Sequence, residues 1–144
     1  MALARVAVGI MFLFFAEYKL AGTQFAREGF TRWVSGWLQE TSVGFYKPFL
    51  HWALQHPYIS GYGTGIVELL IGLSMVVGFR VRIFSIIGAL YMLNLTFATW
   101  NLPAGTPAWR YVGNELDHIP LLLLFLVFLA HDAGKTWGLD GART

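Results

Sequence analysis

The chain has 144 residues, 56% hydrophobic and 17% aromatic, with ten Lys and Arg against eight Asp and Glu for a formal net charge of +2. Charged residues make up 12%, about half the share usual in soluble domains, and the cations form no basic run, which excludes a disordered tail and a nucleic-acid binder. Cysteine is absent, which excludes disulfides, thiolate metal sites and iron–sulfur clusters.

A helix crossing the bilayer needs about 17 to 25 mostly apolar residues, and four segments come close. The first runs from Leu3 to Leu20. Arg5 precedes its apolar stretch as in a signal peptide, but Glu17 and Lys19 stand where small residues would mark cleavage, so it reads as an uncleaved span. Its expected inward stripe is Val6, Ile10, Leu13, Glu17, Ala21 and Gln24.

The stretch from Gly22 to Ser60 is too long for a plain connection and too aromatic for a disordered one. Within it Phe30, Trp33, Val34, Trp37 and Leu38 recur at helical spacing, which predicts an amphipathic helix. A second short helix is expected from Pro48 to His56. Helices rich in Trp and Phe beside spans lie in the membrane interface.

The second span is Tyr62 to Phe79. Gly61, Gly65, Glu68 and Gly72 share one face, and small residues let helices approach, so Glu68 is expected to point into the bundle. The tight turn Phe79-Arg80-Val81-Arg82-Ile83 leads to the third span, Ile83 to Trp100, with a polar stripe at Tyr91, Asn94, Ala98 and Asn101. The fourth, Leu116 to Ala130, is the shortest. Pro120 fits its first turn if Asp117 is the N-cap, which leaves Asn114 to Asp117 as irregular backbone. The expected fold class is an all-α integral membrane four-helix bundle, a single domain over 1–144, with an interfacial amphipathic segment between spans one and two. Arg5, Arg80, Arg82, Lys135 and Arg143 would share one side in short segments, which predicts a multi-pass cell-membrane protein with both termini cytoplasmic.

Polar groups then gather in the outer half of the spans: Glu17, Glu68 and Asn94, with Glu115, Asp117 and His118 at the mouth of span four. A carboxyl in hydrocarbon must be paired or protonated, so Glu68 is a candidate proton-exchanging group, with helix registration as its plainer role. Glu17 has the alternatives of pairing with Lys19 or reaching outward. His118 can donate to a carbonyl oxygen while a carboxylate holds its other ring nitrogen, as a quinone head group would need. A satisfied interfacial histidine or a metal ligand are its other readings. His51 and His56 fall in the loop, and His118 and His131 at opposite ends of one span, which argues against a haem held between spans. No second histidine lies at ligand spacing from Glu115, Asp117 and His118, so no metal is expected.

Arg5 with Gly9, Glu68-Leu69-Leu70-Ile71-Gly72 continuing to Gly78-Phe79-Arg80, and Gly134-Lys135-Thr136-Trp137-Gly138-Leu139-Asp140 together resemble the DoxX and DoxD family of small four-span membrane proteins. The long aromatic loop is more like the DoxD branch, named for the small subunit of thiosulfate:quinone oxidoreductase, an enzyme with a second subunit. The resemblance implies a membrane oxidoreductase subunit, and Glu68 is the intramembrane carboxyl it carries across. The expected site has Glu68, His118 and Glu17 as catalytic groups and Asn94, Tyr91, Trp100, Asn101 and Asp117 around a quinone, with Tyr91 and Trp100 stacking on the ring. Quinone reduction takes two protons with two electrons, which motivates a carboxyl or histidine near each carbonyl. The expected partners are the lipid bilayer, quinone or another small hydrophobic ligand, and a second protein subunit or another copy of the chain. The rival reading is a non-catalytic accessory or assembly subunit of a larger membrane complex. A small-solute or proton-coupled carrier is a third, which would need a dimer because no inverted repeat is present.

Overall fold

The computed structural model describes residues 1–102, 105–107, 109–110 and 117–143. Among them the chain is all-helical, with six α-helices: α1 (Ala2–Leu20), α2 (Phe30–Glu40), α3 (Lys47–Gln55), α4 (Pro57–Val77), α5 (Val81–Thr99) and α6 (Ile119–Ala130). A π-helical turn, Phe25–Gly29, leads into α2, and short 3-10 turns occupy Gly44–Tyr46, Ala133–Lys135 and Gly141–Arg143. The helices α4 and α5 are long and apolar enough to cross a membrane.

Side chains from α1, α4, α5 and α6 meet in one core, built from Val8, Phe12, Ile71, Met75, Met92, Phe125 and Phe128. The closest pair is α1 against α4, running antiparallel. Its intimacy comes from glycine: a Cβ on Gly9 would stand 2.8 Å from the Val76 backbone N and 2.9 Å from the Gly72 O, and one on Gly72 3.0 Å from the Gly9 O. Backbone is pressed on backbone, and neither helix can yield locally. Gly9→Val should therefore lower stability by about 1 to 3 kcal/mol through overpacking. Gly36, mid-way along α2 with open space where its Cβ would be, should instead gain about 0.5 to 1 kcal/mol as Ala. Unfolding of both variants in mixed micelles, followed by tryptophan fluorescence, checks the opposite signs.

The stretch between α1 and α4 is folded, as its composition predicts, and supplies a second core. Phe25, Phe30, Val34, Leu50 and Ala53 close over Ala98 near the end of α5. On the amphipathic face of α2, Phe30 and Val34 are buried and Trp33 is exposed. Trp37 and Leu38 pack against the same cluster, where α2 meets α3, α4 and α5.

Two boundaries also differ from expectation. The helix α4 begins at Pro57 rather than Tyr62, since proline suits a first helical turn. The helix α6 has 12 residues, about 18 Å of rise, against the expected start at Leu116, which lies with Asn114 and Glu115 outside the described residues. Pro120 does sit in its first turn, but His118 occupies the N-cap position with no side-chain cap bond, and Asp117 is outside it and exposed.

At the opposite end from the aromatic segment, three of the quoted motifs converge. Gly78, at φ 72°, ends α4 in the left-handed region that glycine enters without steric cost. Any Cβ there would collide with Gly138 Cα and stand 2.6 Å from Arg5 Nη1. Arg5 is fully buried; it donates from Nη1 to the Met75 carbonyl at 2.5 Å and from Nη2 to those of Trp137 at 3.0 Å and Thr136 at 3.3 Å. Asp140 then caps α5 from across the chain, accepting from the backbone N–H of Arg80 at 2.8 Å and of Val81 at 2.9 Å. A carboxylate there meets the positive end of the helix dipole as well as two donors otherwise unsatisfied.

Candidate functional site

The face of α1 that meets α4 carries Arg5, Gly9, Phe12 and Ala16, all buried, and one turn further Lys19. This corrects the expected stripe through Ile10 and Glu17, both exposed. The Gly9 to Gly72 approach fixes the rotation of α1, and a helix position one residue along is turned by about 100°.

That rotation delivers Lys19 to Glu68. The Lys19 Nζ donates to Glu68 Oε1, and Tyr91 OH donates to the same oxygen at 2.7 Å. Glu68 is only 2% exposed, on the glycine-lined face of α4 that its spacing predicts. Its second oxygen, Oε2, is buried and has no hydrogen-bond partner among the described residues. The Lys19 ammonium also lies 5.6 Å from the centre of the Phe25 ring, within cation–π range. Tyr91 packs edge-on against Phe12 at 6.4 Å between centroids, so the phenol is held by both its ring and its hydroxyl. The result is a buried ion pair with a neutral donor on one carboxylate oxygen and an open acceptor on the other.

Asn94 lies one turn along α5 and accepts from the Tyr46 hydroxyl through Oδ1. The donor is the neutral phenol, and burial pushes its pKa up to about 12. Trp100 is half-buried where α5 ends; its carbonyl accepts from the Ser42 backbone N–H at 2.8 Å and from Ser42 Oγ at 3.0 Å. Below this, Thr41 Oγ1 donates to the Phe97 carbonyl at 2.8 Å. The folded segment between α1 and α4 is thus tied to the end of α5 that bears Asn94. His118 is half-buried, with Nδ1 3.4 Å from Thr99 Oγ1.

Three expected members stand apart. Asn101 is exposed beyond the end of α5, because Trp100 turns extended at ψ 100°. Asp117 is exposed before α6. Glu17 lines a separate surface cleft with Gln24, Glu28 and Arg32, and so does not share the Glu68 site. Among the described residues no three His, Asp or Glu side chains gather as a metal site. The missed participant is Lys19. The signal for it was the spacing of Gly9, Phe12, Ala16 and Lys19, one face on which the small residues Gly9 and Ala16 allow the glycine face of α4 to approach.

The sequence model of the DoxX family matches residues 1–101, a span that holds Arg5, Lys19, Glu68, Tyr91 and Asn94 and stops short of His118 and the Asp140 cap. No curated protein and no solved structure matches the chain.

Proposed function

The chain belongs to the DoxX family, a membrane family, and from that premise we propose that it is the membrane subunit of an oxidoreductase, with α1, α4, α5 and α6 as four spans and both termini cytoplasmic. A quinone head group binds beside Glu68 in the outer half of the bundle. The observation that carries this reading is the orphaned Glu68 Oε2 beside Lys19 and Tyr91. A buried acceptor without a partner is costly, and a quinol hydroxyl satisfies it. Lys19 has three N–H donors and spends one on Glu68, so another can reach a quinone carbonyl. Each quinone takes two electrons from a partner subunit or a small reductant, thiosulfate being the first to test, and two protons, one passing through Glu68. Asn94 and His118 flank the head group, and Trp100 offers a ring to stack on it.

Glu68→Gln keeps the shape of the side chain and removes its charge and its proton exchange. We expect it to weaken binding of a soluble quinone analogue to the detergent-purified protein by about tenfold or more, that is, by about 1.4 kcal/mol or more. Unchanged binding and turnover would overturn the assignment. A second reading, the accessory subunit, is favoured by one observation: both neighbours of Glu68 already donate to it, as in a structural pair. Recovery of a stoichiometric partner with no quinone binding in any form would select it.

A further inference from the structure

The side of α1 turned away from α4 carries Leu3, Ala7, Ile10, Phe14 and Tyr18 at steps of four, three, four and four, all exposed. The spacing makes one apolar stripe along the helix, and on the four-span reading of α1 it faces lipid. At Tyr18 the stripe runs into a cleft of about 500 Å³ formed where the π-helical turn and α2 fold back over the end of α1. The cleft is open to the surface, and the side chains that line it, Glu17, Tyr18, Gln24, Glu28, Arg32 and Trp33 among them, are exposed. Around it stand Glu17, Gln24, Glu28 and Arg32, with the rings of Tyr18 and Trp33. Among the described residues Glu17, Glu28 and Arg32 make no ion pair.

Two unpaired carboxylates and an unpaired guanidinium in one cleft suit a ligand that carries charges of both signs. The carboxylates accept from N–H donors, which a primary ammonium has and a quaternary one lacks, while the guanidinium fork matches a phosphate. The apolar stripe leading into the cleft adds a requirement for hydrocarbon. We propose that the cleft binds the head group of a zwitterionic phospholipid bearing a primary ammonium. The ammonium donates to Glu17 and Glu28, Arg32 donates to the phosphate, and an acyl chain lies along Phe14 and Ile10. The site is separate from that of Glu68.

Native mass spectrometry of the intact protein released from micelles containing phosphatidylethanolamine and phosphatidylcholine in equal amounts tests this without reference to turnover. The expected result is one retained phosphatidylethanolamine, preferred by about tenfold, with retention falling about tenfold in Glu28→Gln and in Arg32→Gln. Glu40→Gln, outside the cleft at the end of α2, should behave as wild type. Equal retention of the two lipids, or undiminished retention in both cleft variants, overturns the proposal. Displacement of the lipid by free phosphoethanolamine at matching concentration also overturns it, by assigning the cleft to a soluble zwitterion.

Discussion

Replacing Lys19 by Met should destabilise the protein by about 3 to 5 kcal/mol, because it strands the Glu68 carboxylate in the interior without its countercharge. The Lys19 side chain is 17% exposed and that of Glu68 3%, so solvent screens the pair little. Combining Lys19→Met with Glu68→Gln should recover most of the loss, since a neutral amide needs no cation and can still accept from Tyr91 OH. A double-mutant cycle on unfolding in mixed micelles reads the coupling directly. Coupling near zero would mean that Lys19 and Glu68 do not depend on one another. The same cycle bears on function: if Glu68 exchanges protons, Lys19→Met should alter the pH profile of turnover, whereas a purely structural pair would alter stability alone.

Arg5→Met should have an effect of similar size. Its guanidinium donates to three carbonyls from two distant parts of the chain, and hydrogen bonds from a charged donor contribute about 1.5 to 3 kcal/mol each. The net loss is smaller than the sum of the three, on the order of 3 kcal/mol, because the Thr136 and Trp137 carbonyls are only part-buried and can turn to water once the guanidinium is gone. The loss should be concentrated in the segment 136–140, so tryptic cleavage after Lys135 should accelerate by at least about tenfold as local opening becomes easier. Arg82→Gln provides the contrast. Arg82 pairs with Asp132 at 3.2 Å but is 67% exposed, and such pairs contribute less than about 1 kcal/mol. Equal protease resistance in Arg5→Met and wild type would show that Arg5 does not hold that segment.

The helical elements were legible wherever composition and period agree. Long apolar runs located α1, α4 and α5 to within a few residues, and the glycine spacing on α4 identified the face bearing Glu68. The rotation of α1 was harder to read. Its inward and outward faces are both apolar, so hydrophobicity cannot choose between Glu17 and Lys19, which lie two residues apart. The choice is made by Gly9, whose missing side chain lets α4 come close enough to bring Lys19 onto Glu68. The partners of Arg5 and Asp140 were not legible either, since backbone carbonyls and N–H groups carry no sequence identity. The motifs that hold them were visible, but not that Gly78, Arg80 and Gly138 meet at one place.

The Arg5 clasp also sets an order of events during synthesis. Arg5 is made with the first helix, yet two of its acceptors, Thr136 and Trp137, follow 131 and 132 residues later. Asp140 reaches the start of α5 some 60 residues after α5 begins. The guanidinium and the start of α5 therefore lack these partners until residues 136–140 have been made and have left the ribosome. Closure of this end of the helix packing is therefore a late step, which waits on a segment far along the chain from both α1 and the start of α5.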